Sequence, residues 1–173
     1  MRERPSWALF FLFPKYGIIN GKAGESMRVV NTLLAKDGQV LLLFKQGRQK
    51  WFLPGGKSEF GEHVIQTGMR EFHEESGLQL ATAYLGAVTT IVVKELEIEW
   101  MLYTVIGADA SGELVEANRE GLLQWHPVEA LKHLPMFEGD RYIILKLLEQ
   151  TFFEPIVTTQ YYTKDYELLH LIL

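Results

Sequence analysis

The chain has 173 residues, 47% of them hydrophobic and 23% charged, with 22 Asp plus Glu against 17 Lys plus Arg and a formal net charge of -5. That length suits one domain with a real core. The composition argues against wholesale disorder, and the acidic balance argues against coating nucleic acid non-specifically, though not against a nucleotide held by a metal. With no cysteine, disulfides, zinc–thiolate centres, iron–sulfur clusters and thiol nucleophiles are excluded.

No apolar run approaches the roughly 18 residues of a membrane helix. The nearest, Trp7 to Phe13, stops at Pro14. Arg2 and Arg4 precede it, but Glu3 sits among them and no small-x-small site follows, so a cytoplasmic protein without a membrane partner is expected. Residues 1–26, an aromatic cluster followed by Gly17, Gly21, Gly24 and Ser26, read as an N-terminal extension. The domain proper is expected over 27–150, with 151–173 as a tail packed on it.

Val29 to Ala35 and Gln39 to Phe44 are β-leaning runs joined by Lys36-Asp37-Gly38, and Asp-Gly between such runs predicts a hairpin. Trp51-Phe52-Leu53 leads into Pro54-Gly55-Gly56, a chain break with unusual backbone freedom. Helical spacing predicts a helix from about Glu62 to Ser76 with Val64, Ile65, Gly68, Met69 and Phe72 as its inward stripe, ended by Gly77. Strands follow at about Ala81 to Val93, Glu97 to Ile106 and Gly121 to Trp125, then an amphipathic helix from Asp140 to Gln150. Strands on both sides of one helix, with a second helix late, indicate a mixed α/β (α+β) layered domain.

The first helix carries the chemistry. On a wheel of about 100° per residue, Glu75 falls inside the apolar stripe, Glu71 borders it and Glu74 lies further round. Like charges at i, i+4 destabilise a helix by about 0.2–0.5 kcal/mol per pair, and an unpaired carboxylate near a core costs more. Two readings follow: a solvated acidic face, or a set of oxygen ligands for a hard cation, Mg²⁺ or Mn²⁺. Gly55 and Gly56 permit close approach of the backbone to a ligand, and Arg70 and Glu62 add charge beside the cluster.

The segment runs Gly56, five residues, Glu62, seven residues, then Arg70-Glu71-Phe72-His73-Glu74-Glu75-Ser76-Gly77-Leu78. It resembles the Nudix box, with Phe72 where an aliphatic residue is usual. The resemblance spans about Met27 to Gln150. It implies the Nudix fold, a mixed β-sheet sandwiched between α-helices, and Mg²⁺-dependent hydrolysis of a nucleoside diphosphate linked to a further group. It implies Glu71, Glu74 and Glu75 as metal ligands, Glu71 also as general base, Arg70 as their orienting partner and Glu62 in the wider acidic shell. A further carboxylate is expected from outside the box, with Glu95, Glu97, Glu99, Glu116 and Glu120 as candidates.

Downstream, the proline and tyrosine markers of ADP-ribose and dinucleoside polyphosphate hydrolases are absent. The stretch from Glu120 to Arg141 resembles the MutT-like, 8-oxo-dGTP diphosphatase group, in which an aromatic residue and an Asp read the base. Phe137 and Asp140 hold those positions, while Gly139 stands for a second Asp and Phe52 for an Asn. The plainer readings are Phe137 as core and Asp140 as the N-cap of the last helix. Lys45, Arg48 and Lys50 are either phosphate contacts or a solvated basic loop. The expectation is a nucleoside triphosphate pyrophosphohydrolase of small-molecule nucleotides that sanitises the nucleotide pool, monomeric or homodimeric, without stable nucleic-acid binding. The alternatives are the same chemistry on a nucleotide sugar, dinucleoside polyphosphate or RNA 5′ end, and a nucleotide-sensing module without turnover.

Overall fold

The computed structural model describes residues 28–151 and 154–173, so the expected extension over 1–26, with its Trp7 to Phe13 run, lies outside the described residues. Strands β1 (Arg28–Lys36) and β2 (Gln39–Lys45) form the hairpin. Asp37 and Gly38 both take positive φ, 51° and 73°, which matches the turn to the twist of its strands. Next, β3 (Lys50–Phe52) pairs with β2, and β4 (Gly55–Lys57) turns back onto β1, so that Asn31 lies opposite Gly55.

Helix α1 (Val64–Ser76) is followed by β5 (Gln79–Val93), β6 (Ile98–Ser111), β7 (Ala117–Asn118), β8 (Gly121–Pro127), α2 (Glu138–Glu149), β9 (Ile156–Tyr162) and β10 (Leu168–Ile172). The sheet runs in the order β10-β9-β5-β6-β1-β2-β8-β7. The β1–β6 and β5–β9 pairs are parallel and the β5–β6 and β2–β8 pairs antiparallel, which makes the sheet mixed. Side chains alternate along a strand, so the two faces take different helices. Leu34, Leu41 and Leu43 pack with Phe72 of α1, whereas Leu33, Val40 and Leu42 pack with Ile143, Ile144 and Leu147 of α2. The architecture is the expected mixed sheet between helices. Among the described residues no helix is long and apolar enough to cross a membrane.

The helices differ from expectation in detail. α1 begins at Val64 rather than Glu62, because His63 is its cap: His63 Nδ1 accepts from Gln66 N–H at 3.3 Å, and Gln66 Oε1 accepts from His63 N–H at 3.1 Å. Gly77 ends the helix in the left-handed conformation, φ 74°. The buried face is Thr67, Gly68, Phe72, Glu75 and Ser76, while Val64, Ile65 and Met69 are only partly buried. Gly68 explains that rotation. A Cβ there would lie 3.0 Å from Thr32 Oγ1 and 3.2 Å from Val105, and Thr32 Oγ1 donates to Gly68 O at 3.0 Å. The helix thus sits down on its narrowest side, which turns Glu75 fully inward. At α2 the N-cap is Phe137, without a side-chain cap, and Asp140 falls in the first turn. The capping role for Asp140 is therefore not observed.

Candidate active site

Glu75 is 5% exposed, yet it carries a carboxylate. Its Oε2 accepts from Gly55 N–H at 2.6 Å, and Lys45 Nζ lies 3.6 Å from its Oε1. Burial nonetheless wins and pushes its pKa up to about 7. Gly55 can donate this bond only because it has no side chain: its φ is 153°, and a Cβ would sit 2.1 Å from Val30 O. Gly56 has a different reason. A Cβ there would lie 2.4 to 2.6 Å from the Glu71 carboxylate group, so a hydrogen at this position keeps the space in front of Glu71 clear.

Arg70 organises the other side of the cluster. Its Nε and Nη2 grip Glu62 Oε1 and Oε2 at 2.7 and 2.9 Å, and its Nη1 reaches Glu71 Oε1 at 2.8 Å and Glu74 Oε2 at 3.3 Å. Nη2 also donates to Lys57 O at 3.1 Å, which ties the helix to β4. Glu62 further accepts from Glu59 N–H and Thr67 Oγ1, both at 2.9 Å. The Arg70 bonds hold the Glu62 pKa down at about 2. Burial raises the pKa of Glu71 despite Arg70, whereas the Glu74 side chain is 56% exposed.

These groups border a cavity of about 430 Å³. Glu71, Glu74 and Glu75 line it with Gly55 and Gly56, and Glu120 enters from the β7–β8 turn. Of the five outside candidates, only Glu120 reaches it. Its Oε2 is 3.7 Å from Lys45 Nζ, so Lys45 bridges two carboxylates from the end of β2. Lys57 and Arg119 add positive charge to the walls. Asn118 sets the turn: its Oδ1 accepts from the N–H groups of Glu120 and Gly121 at 2.7 and 3.2 Å, and its Nδ2 donates to Glu75 O. The Asn-x-Glu-Gly pattern is an Asx-turn signal, but the partner it holds, the end of α1, is invisible in the sequence.

Among the described residues no three carboxylate or imidazole side chains converge at metal-ligand spacing. Arg70 stands between Glu71 and Glu74, and Lys45 between Glu75 and Glu120, so side-chain cations balance the acids. The donor set still fits a divalent cation. It is all oxygen, it surrounds one open cavity, and its buried Glu75 and half-buried Glu71 carboxylates gain from a strong local positive charge.

Phe137 and Asp140 do not line this cavity. Phe137 lies in the turn before α2, with Phe52 at 5.8 Å and Tyr166 at 6.3 Å between ring centroids and Lys50 Nζ 5.2 Å from its ring. Arg141 fixes that turn by donating to Leu131 O at 2.9 Å and Leu134 O at 2.7 Å. Gly55 joins the two regions: it holds Glu75, and its register partner Asn31 lies on the α2 side of β1, like Leu33.

Residues 25–147 match the NUDIX domain family. An uncharacterized Nudix hydrolase, YvcI, of Bacillus subtilis is 38% identical over 146 residues, spanning 82% of this chain and 90% of that one. The crystal structure of a MutT protein from Bacillus halodurans superposes with a TM-score of 0.78 at 36% identity, covering 84% of this chain and 96% of the other. An oxidized purine nucleoside triphosphate hydrolase of Danio rerio is 33% identical over 113 residues, 62% of this chain and 70% of that one. The chain belongs to the Nudix hydrolase family. It is a hydrolase of phosphoric anhydrides of the MutT-like branch, a family that generally uses divalent metals and acts on small nucleotides.

Proposed function

We propose that this chain is a Mg²⁺-dependent pyrophosphohydrolase that cleaves nucleoside triphosphates to monophosphate and pyrophosphate, with oxidised purine nucleotides such as 8-oxo-dGTP as preferred substrates. The observation that carries the reading is the single cavity in which Glu71, Glu74, Glu75 and Glu120 face Lys45, Lys57 and Arg119. Carboxylates of this kind hold divalent cations, and cationic side chains beside them hold a polyphosphate. The names of distant relatives support the substrate, the zebrafish oxidized purine hydrolase among them.

Glu71, Glu74 and Glu75 would hold the metal, with Glu120 as the carboxylate from outside the helix. Bound there, Mg²⁺ supplies charge neutralisation on phosphate oxygens and a more acidic water. Glu71, whose basicity burial raises, takes a proton from the attacking water as its oxygen bonds to phosphorus and the bridging P–O bond breaks. Lys45, Lys57 and Arg119 orient the chain and offset charge on the leaving pyrophosphate. Arg70, gripped by Glu62, keeps the Glu71 carboxylate facing the cavity. Phe137 would stack on the base and Asp140 would bond its edge.

The test is a turnover screen of 8-oxo-dGTP, dGTP, other nucleoside triphosphates, ADP-ribose, diadenosine tetraphosphate and 5′-triphosphorylated RNA in Mg²⁺, with products identified and Glu71→Gln as control. The expected result is the highest kcat/KM on 8-oxo-dGTP with pyrophosphate released. A flat triphosphate profile would remove the base reading, and undiminished activity in Glu71→Gln would remove the catalytic one.

A further inference from the structure

The sheet face beneath α2 carries polar side chains where a hydrophobic core is the ordinary filling. Asn31 of β1, Thr104 of β6, Thr89 of β5, and Thr158 and Gln160 of β9 are each at most 4% exposed. Register places them side by side, with Asn31 opposite Thr104 and Thr89 opposite Thr158. They separate the apolar cluster around Leu33 and Ile144 from the one around Val29 and Trp100. Among the described residues Asn31 Oδ1 and Thr89 Oγ1 meet no hydrogen-bond partner. Buried polar atoms are rarely left so, and an acceptor and a hydroxyl on one sheet face suit the polar edge of a ligand.

The band ends against the first turn of α2. Gln160 Nε2 donates to Gly139 O at 3.3 Å, and Gln160 Oε1 accepts from Tyr162 Oη at 2.8 Å. The approach is so close that a Cβ on Gly139 would lie 2.0 Å from Gln160 Oε1 and 2.1 Å from Tyr162 Oη. Two side chains of β9 therefore fill the volume that a side chain at position 139 would need. Burial and then the charge of Asp140 hold the Tyr162 phenol well above its usual pKa, so Tyr162 stays a neutral donor beside that turn. Tyr166, in the connection between β9 and β10, packs on Phe137. Gln160, Tyr162 and Tyr166 all follow the residues 25–147 matched to the family.

We propose that the C-terminal hairpin β9–β10 is a working part of the substrate site, with Gln160 and Tyr162 as positioning residues that set Phe137 and Asp140 for the base. The hairpin substitutes for a side chain at position 139 and makes base selection depend on residues beyond the Nudix domain. The proposal rests on the reading of Phe137 and Asp140 given above.

Steady-state kinetics on the full chain separate the two. Substrates are 8-oxo-dGTP, dGTP and abasic deoxyribose 5′-triphosphate, which keeps the phosphates and lacks the base. Gln160→Met keeps the shape and removes both hydrogen bonds, and Tyr162→Phe removes one oxygen and carries the test if Gln160→Met fails to fold. Loss of one such bond is expected to raise KM for the preferred nucleotide about tenfold, with kcat nearly unchanged and the abasic substrate unaffected. An equal loss on nucleotide and abasic substrate, or no change in a folded variant, would overturn the proposal. A wild-type enzyme that treats the abasic triphosphate like the nucleotides would remove the base reading itself, and the proposal with it, before any variant is compared.

Discussion

The carboxylate cavity borders α1 and the Phe137–Asp140 turn opens α2, helices that pack on opposite faces of the sheet, and the two regions are built in opposite ways. The cavity draws most of its groups from one unbroken stretch, Gly55 to Glu75, whose helix geometry sets their spacing. Only Lys45, Glu120 and the walls beside them come from elsewhere. The turn is assembled from β3, the connection before α2, and the β9–β10 hairpin, with Phe52, Phe137, Gln160 and Tyr166 far apart in the chain. On the proposed reading, the chemistry would be carried by a local unit and the selectivity by long-range packing, so that one could change without the other.

Substitutions should expose that division, and the largest effect is expected at Glu71. Glu71→Gln should lower kcat by about 10²–10⁴-fold on every substrate, since it would remove the proposed general base without changing shape. Thermal unfolding checks that the fold is intact. An effect confined to one nucleotide would mean that Glu71 selects rather than catalyses.

Glu120 and Asn118 sharpen the cavity side. Glu120→Gln and Asn118→Ala should both weaken Mg²⁺ activation by about 10–100-fold, because Asn118 holds the turn that delivers Glu120. Titration of kcat against Mg²⁺ measures this. A normal titration in Asn118→Ala would show that the turn holds itself.

On the other face, Asp140→Asn should change the ratio of kcat/KM for 8-oxo-dGTP over dGTP by about tenfold, the worth of one good hydrogen bond, while leaving turnover of an abasic triphosphate alone. A uniform loss would return Asp140 to a role in the first turn of α2, where a negative charge favours the helix dipole by about 0.3–1 kcal/mol.

The smallest expected effect is in pH. Arg70 holds the Glu62 pKa at about 2, below the ordinary 4.5. A carboxylate depressed in the folded state contributes stability that is complete above its unfolded pKa and lost as pH falls through the folded one. The urea midpoint should therefore decline between pH 4.5 and pH 2. In Glu62→Gln that part of the decline should be absent, and an identical decline would place the acid sensitivity elsewhere.

The legible parts share a cause. The Asp37-Gly38 hairpin and the α1 helix with its Gly77 stop follow from interactions within a few residues, so spacing reveals them. Spacing alone starts α1 at about Glu62, whereas the helix starts at Val64, because His63 caps it through a ring nitrogen that meets Gln66 N–H, a weaker local signal than a carboxylate. Helical spacing puts Val64, Ile65 and Met69 in the buried stripe of α1, yet all three are only partly buried. Gly68 against Thr32 and Val105 overrides that pattern, since closest approach favours the smallest residue over the most apolar face.

The amino-acid sequence by itself determined the family and the helix that clusters the carboxylates, because box spacing and helix period are properties of consecutive residues. Tertiary structure alone decided which distant acid joins the cavity, that Lys45 lies between Glu75 and Glu120, and that Gln160 and Tyr162 fill the space above Gly139. Those contacts form across strands whose order no local pattern records. Their partners are set by sheet topology and by the exclusion of any atom that does not fit.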